Sequence, residues 1–263
     1  MNIFSQIRGI QMKTYSLLMF TFISCQLMAQ PVPDSPPKEH ELQLGLAAVS
    51  SQSVYIGGQT QTQVFPAIDY QYQRFYFQAG ELGFNLIENK TWEVNAGLNV
   101  NLVGDTDRGD SRLLKDLPEL SLPLSSFVSA TYISKVGLFK LKHDVEINNK
   151  HNGQSSAFTY SAPIFKGKWL IMPQLSVEHH SEEVVHYFYG INPLDATAEL
   201  PTYRGESATN YTLSVLAIRE FNDRWSWVGS VQNEFLADEI TNSPMVDEDQ
   251  RLSVFAGLLY KFF

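Results

Sequence analysis

The groups best suited to chemistry in this sequence are histidines and one dense run of charges. His179 and His180 open the stretch HHSEEVVH, which encloses Glu182 and Glu183 and ends on His186. Imidazoles and carboxylates in such density are metal-ligand types. The order differs from HExxH, which puts two imidazoles on one helical face beside a carboxylate base. The stretch therefore reads as a solvated extracellular loop, and no metal or other cofactor is expected. His143 is more pointed, because Phe139, Leu141, Val145 and Ile147 share its face. An imidazole turned to hydrocarbon is costly unless partnered. With Ser129 or Ser156 on a neighbouring strand as nucleophile, His143 could serve acyl transfer. No spacing signature marks such a site, and a histidine paired with a neighbour near the interface is the plainer reading.

The intervening residues Lys140, Lys142, Asp144 and Glu146 make the opposite face fully charged. They could line a pore, but side chains of both signs can also cross-link and plug it, and the mixture favours the plug. Glu93, Asn95 and Glu178 hold equivalent positions in other segments and are candidate lumen-lining residues with them.

What must position these residues is a set of strands. Residues 138 to 148 alternate with period two, as do Trp92, Val94, Ala96, Leu98, Val100 and Leu102 against Glu93, Asn95, Gly97, Asn99 and Asn101. Trp169, Ile171, Pro173, Leu175 and Val177 oppose Gln174, Ser176 and Glu178 in the same way. Other segments begin near Leu42, Phe65, Phe75, Val128, Phe158, Tyr211, Trp225 and Leu252. Segments of roughly ten residues suit tilted strands crossing a bilayer. No stretch is apolar over the roughly 18 residues a spanning helix needs. Aromatic pairs at segment ends, such as Tyr70 with Tyr72 and Tyr260 with Phe262, suit interfacial girdles.

A sheet in lipid must close, and single-chain bacterial barrels close with an even number of strands. Eleven segments are evident, so one is missed or one is split. Tight connections at 134–137, 165–168 and 221–224 alternate with longer ones at 104–119, 149–153, 181–206 and 237–249, which keeps everything after about Gly104 in phase. In residues 75 to 87 the apolar parity switches from Phe75, Phe77 and Ala79 to Leu82, Phe84 and Leu86, with Gly80 and Gly83 between. Either a hairpin or a bulge explains the switch. The hairpin gives an all-β, antiparallel, up-and-down transmembrane barrel of twelve strands.

Composition fits a chain with two kinds of solvent, since only 18% of residues are charged and 13% are aromatic. Residues 1–29 carry only Arg8 and Lys13, then an apolar run and QLMAQ, which reads as a Sec signal cut after Ala29. Met12 would also make a compact start. Phe22 stands where a lipobox has Leu, so Cys25, the one cysteine, falls in the signal and not at a lipid anchor. Cleavage takes the formal charge from −9 to −11 by removing Arg8 and Lys13, and an acidic chain without a basic stripe does not suit nucleic acid. Residues 30–39, rich in proline, read as a periplasmic tail. Residues 40–263 are the barrel, exported to and embedded in a bacterial outer membrane with its lipid as one partner.

From residue 184 onward the chain resembles the MltA-interacting protein (MipA/OmpV) family of outer-membrane proteins. The matching pieces are YFYGINP with Tyr189 and Gly190, ELPTYRGE with Pro201 and Tyr203, DRWSW with Trp225, NSPMV with Ser243 and Pro244, and QRLSVFAGLLYKF with Tyr260 and Phe262. VYIGG at 54–58 and VFPAIDYQYQRFYF at 64–77 match more loosely. Gly58 follows Gly57 where the family often has Ser, and the chain runs one residue past Tyr-Lys-Phe, to Phe263. The resemblance implies a non-enzymatic scaffold that brings a periplasmic murein synthase and a lytic transglycosylase together. A small-solute channel and a lipid acyl-transfer enzyme are the alternatives.

Overall fold

The computed structural model describes residues 40–100 and 104–263. The expected signal and proline-rich tail, residues 1–29 and 30–39, lie outside the described residues. Strands β1 (His40–Ser51), β2 (Gln61–Tyr72), β3 (Phe75–Gln78), β4 (Glu81–Glu88), β5 (Trp92–Asn99), β6 (Ser125–Ser134) and β7 (Gly137–Glu146) run in chain order around the wall. They continue as β8 (Gln154–Ser161), β9 (Ile164–Lys166), β10 (Trp169–His180), β11 (Ala208–Glu220), β12 (Trp225–Phe235) and β13 (Gln250–Lys261). Each pairs antiparallel with its neighbours, and β13 returns to β1 over Gln43↔Lys261 to Ser51↔Ser253. Both β8 and β9 pair with β10 and fill one place in the wall. The break between them falls at Ala162 and Pro163, where proline has no N–H for the ladder. The result is a closed barrel of twelve strands.

The concealed strand is β3. It forms a hairpin with β4 through Ala79 and Gly80, whose φ values of 49° and 80° are both positive, as a two-residue turn with the strands' own twist demands. A bulge is present as well: the β4–β5 register shifts between Asn85 and Ile87. The parity switch in the sequence thus had the hairpin as its main cause.

Burial is inverted relative to a water-soluble sheet. In β11, Tyr211, Leu213 and Val215 are about half exposed while Asn210, Thr212 and Ser214 are buried. Apolar side chains face outward and polar ones inward on strand after strand, which is stable only where the outer solvent is hydrocarbon. No helix among the described residues is long and apolar enough to cross a membrane. Aromatic contacts girdle one end, with Trp92 against Tyr132 at 5.1 Å, Phe139 against Tyr160 at 5.1 Å and Trp225 against Tyr260 at 5.0 Å. That end also carries the short turns at 73–74, 89–91, 135–136, 167–168 and 221–224, and Phe263. It is the periplasmic end by the usual rule that short turns face the periplasm. Phe263, one residue beyond the expected ending, packs on His40 at 4.3 Å and accepts a hydrogen bond from Leu42 N.

Close approach fixes Gly45 on β1: a Cβ there would lie 1.9 Å from the Leu258 carbonyl oxygen of β13, at the seam that closes the barrel. Gly45→Val is expected to cost about 1–3 kcal/mol, the usual range for overpacking. The check is the urea midpoint at which heat-modifiable migration is lost, which should fall relative to the parent.

Candidate functional site

The inner wall divides into unlike halves. On β4 to β7 it is polar and charged. Lys142 Nζ sits 2.7 Å from Glu81 Oε1 and 3.3 Å from Asp144 Oδ1, bridging two strands' carboxylates, and lies 4.8 Å from the centre of the Phe127 ring. Glu93 accepts a hydrogen bond from Asn95 Nδ2 at 2.6 Å, and both are buried. Glu146 turns back at the strand end and accepts main-chain N–H groups of Asn148, Lys150, His151 and Asn152, so it pins the 147–153 loop. Lys140 and Glu178 are half-buried on the inner face. The structure therefore distributes the seven charged or amide candidates: six along the inner wall and Glu146 at its rim.

A second inner cluster went unread in the sequence. Arg251 on β13 makes a short ion pair with Glu234 on β12, and Glu234 also accepts from Asn210 Nδ2 on β11 at 2.8 Å. His180 shares a hydrogen bond of 2.9 Å with Ser155. Period-two alternation puts all of these on the inner face. What hid Arg251, Glu234 and Asn210 was their isolation, each near the end of its own strand, whereas His180 was read only with the run HHSEEVVH.

Above this cluster the longer loops fold together into an apolar cap. Segments 52–60, 104–124, 181–207 and 236–249 meet there, and the loop at 147–153 joins through His151, 5.3 Å from Tyr187. The helix α1 (Glu182–Tyr189) supplies Val185, Phe188 and Tyr189, and α2 (Asp238–Thr241) supplies Ile240; with Met245, these five have no exposed surface. Each such side chain buried contributes about 1.5–3 kcal/mol, enough to hold loops that strand pairing does not reach. The stretch HHSEEVVH is thus not a solvated loop as expected. It ends β10 and forms α1, because Val184, Val185 and Phe188 share a helical face that the cap buries.

The short motifs of the sequence converge on this cap. Ser243 Oγ donates to the Tyr189 carbonyl at 2.6 Å, Tyr203 pairs with Ile191, and Tyr203 Oη donates to the Glu239 carbonyl at 2.8 Å. Tyr55 stacks on Tyr189 at 5.5 Å and donates to the Phe188 carbonyl. Gly190 is fixed by His186, whose Nδ1 would lie 2.2 Å from a Cβ. Gly58 packs so closely on Ser53 that a Cβ would meet its Oγ at 2.3 Å, so this chain's Gly-Gly pair matches its own Ser53. Pro201 is exposed and Pro244 half-buried at the cap's edge, whereas Trp225, Tyr260 and Phe262 belong to the opposite, periplasmic girdle.

The histidines diverge. His143 faces outward and shares a hydrogen bond of 2.9 Å with Ser156, while Ser129 is buried on the inner wall and lies on the other side of the sheet. His179 also faces outward, to Thr209 Oγ1 at 3.0 Å, whereas His180 turns inward and His186 approaches Asn192. Cross-strand pairs His143↔Ser156, Ser156↔His179 and His179↔Thr209 make one polar row on the lipid side. Such a row suits the headgroup level at the outer edge of the apolar band.

A family model described as MltA-interacting protein MipA matches residues 44–262. The putative outer membrane protein YiaT of Escherichia coli (strain K12) is 23% identical over 224 residues, 84% of this chain and 91% of that protein. The MltA-interacting protein of Escherichia coli (strain K12) is 23% identical over 227 residues, 85% and 91% of the two chains. Among solved structures, a loop-deletion form of the outer membrane protein OmpT of Vibrio cholerae aligns over 85% of this chain and 100% of its own, at 8% identity and a TM-score of 0.39.

Inside the cap, burial raises the Asp105 carboxyl to about 6; Arg251 opposes the rise and Asp107 adds to it. Because this exceeds the ordinary 3.8, Asp105 favours the folded cap fully below pH 3.8, and that contribution is lost as pH rises through 6. Asp105→Asn should therefore slow proteolytic nicking of the loops at pH 7.5 and have little effect at pH 4.5. Equal cleavage rates for parent and variant at pH 7.5 would contradict this.

Proposed function

The chain belongs to the MltA-interacting protein MipA family of outer-membrane barrels, and from that premise we propose that it is a non-catalytic scaffold that gathers a lytic transglycosylase and a murein synthase beneath the outer membrane. The observation that carries this reading is the charge of the periplasmic end. All five short turns bear a cation: Arg74, Lys90, Lys135, Lys168 and Arg224, each exposed, with Lys166 beside them. Asp223 shares the last turn and Glu88 and Glu220 flank the turns, so the ring is positive by an excess of cations in a chain of formal charge −9. The far end carries both signs, Asp107, Asp116, Glu182, Glu183, Asp238 and Asp247 with Arg108, Arg112, Lys115, Lys150 and Arg204.

A ring of cations on rigid turns attracts acidic partner surfaces and aligns them before contact. It also answers a difficulty of size. Specific interfaces usually bury about 800 Å² per partner, more than any one two-residue turn can offer. Several turns used together, joined by the tail of residues 30–39, make a plausible footprint for enzymes that act on a carboxylate-bearing polymer. The apolar cap supports the same reading, since side chains of two loops buried to zero exposure, with Val54, Tyr55 and Leu114 of two others packed on them, oppose free solute flow along the axis.

The test is co-purification from native membranes with the parent and with a charge-reversed form, Arg74→Glu, Lys90→Glu, Lys135→Glu and Lys168→Glu. Recovery of the lytic transglycosylase should drop at least about tenfold, with the parent's recovery falling as salt rises past the roughly 10 Å screening regime of 0.1 M. Unchanged recovery from the reversed form, or steady unitary conductance of the parent in planar bilayers, would set this reading aside.

A further inference from the structure

On the lipid side of the wall, permanent charge is nearly absent. Among the described residues, the outward positions of the strands hold two permanently charged side chains, Lys166 on β9 and Arg219 on β11, and no carboxylate. The two are not scattered. Trp169 on β10 pairs directly with both, and Arg219 pairs in turn with Trp227 on β12, so one transverse row reads Lys166, Trp169, Arg219, Trp227. Trp169 alternates with the buried Leu170 and Met172 and shares its face with Ile171, Pro173 and Leu175, which puts the whole row toward lipid. Its level is the periplasmic edge of the apolar band. The turns at 167–168 and 221–224 follow at once, and Glu220 N donates to the Lys168 carbonyl between them.

The side chains are set for an anion. The Arg219 guanidinium lies 5.0 Å from the centre of the Trp169 ring and 5.4 Å from that of Phe221, the next outward residue toward the periplasm. Rings placed in this way favour the cation and leave the N–H groups at its edge to bond elsewhere. Among the described residues those groups bond to nothing, and neither Arg219 nor Lys166 has an ion-pair partner. The chain passes out of the described residues at His40 on β1 and at Val100 and Gly104 beyond β5, none of which borders β9 to β12. Glu220 and Asp223 are the acids nearest Arg219 in sequence; Glu220 alternates to the inner face, and Asp223 stands on the turn. Lys168, the third cation nearby, donates to the Phe221 carbonyl at 3.0 Å. The Trp227 indole meets Trp169 edge-on at 6.0 Å, and a Cβ on Gly229 would lie 2.5 Å from it, so the missing side chain lets that indole lie against the wall.

We propose that this row binds an anionic glycerophospholipid of the periplasmic leaflet, its phosphate accepting from Arg219 and Lys166 and one acyl chain lying over Ala217 toward the midplane. Two cations on either side of one tryptophan stand roughly 10 Å apart, two strand spacings, and repel one another where water is scarce. A lipid of net negative charge offsets that repulsion, which a zwitterionic one does only in part. The guanidinium edge matches two phosphate oxygens at once, and the lysine adds a point charge that can shift to meet the third contact. Just toward the midplane from Arg219 the outward residue is Ala217, flanked by Ile171 and by the Trp227 indole over Gly229, so the chain has an apolar bed beside its head. Free phosphate shares the headgroup's chemistry and lacks the chain, and the apolar bed commits the site to lipid.

The parent, Arg219→Gln and Lys166→Gln, each shown to be closed by heat-modifiable migration, would be titrated in dodecyl maltoside with dioctanoyl phosphatidylglycerol, the bound lipid being counted by native mass spectrometry. The parent should retain one molecule with saturable binding and hold dioctanoyl phosphatidylcholine at least about tenfold more weakly. Arg219→Gln should weaken phosphatidylglycerol about tenfold, the loss of one charge-assisted contact. Lys166→Gln, which leaves the Arg219 stack on Trp169 in place, should weaken it severalfold. Arg112→Gln combined with Lys115→Gln, which removes charge from the extracellular loops, should bind as the parent does. Equal affinity of the parent for the two lipids, unchanged affinity in both single variants, or an equal loss in the Arg112 and Lys115 form overturns the site. Displacement of the lipid by glycerol phosphate at equal concentration overturns the lipid as its occupant. No periplasmic enzyme enters the measurement, so its failure is separate from that of the scaffold reading.

Discussion

Lipid offers a peptide group nothing to bond to, and that single deficiency organises this molecule. Every main-chain N–H and C=O at membrane depth needs a partner supplied by the chain itself. The consequence is a sheet whose first and last strands meet, with Gly45 giving up its side chain so that β1 can lie against Leu258. Alternation does the rest: once closure fixes an inside and an outside, each strand with period two sends apolar groups to the acyl chains and polar ones inward. The Lys142 bridge to Glu81 and Asp144, and the Arg251–Glu234–Asn210 set, exist because closure left those groups nowhere else to go.

That same rule made much of the fold legible from residues alone. Alternation at 138–148 locates β7 and names its charged face, and the parity switch between Phe77 and Leu82 exposes the hairpin that completes twelve strands. The expected signal and proline-rich tail lie beyond the described residues. The cap was illegible for a physical reason. Its residues come from loops distant in sequence, where no period exists to read, and α1 is only eight residues long, two turns of helix that a window tuned to longer elements passes over. Their meeting is tertiary: Tyr55 finds Tyr189, and Ser243 finds its carbonyl.

Resemblance and geometry account for one another here. The segments by which the chain resembles its family, YFYGINP, ELPTYRGE and NSPMV, are the pieces of the cap, and DRWSW with the carboxy-terminal strand makes the periplasmic girdle. The charged inner wall lies between them, largely outside those motifs. These motifs thus lie at the two ends of the barrel and along β13, where Arg251 reaches the lumen, while β4 to β7 with the Lys142 bridge lie outside them.

The cap joins residues 54–56 from the first loop to residues 240–246 from the last. These contacts have nearly the greatest sequence separation the chain allows, and loop closure over such spans is slow. Tyr55↔Val246 continues directly from the Ser51↔Ser253 end of the seam, so closure of β1 on β13 is what brings the two loops within reach, and the order during insertion is wall first, seam next, outer surface last. A protein delayed at the seam would present loose, protease-sensitive loops to the cell exterior, making the compactness of that surface a report on whether biogenesis has finished.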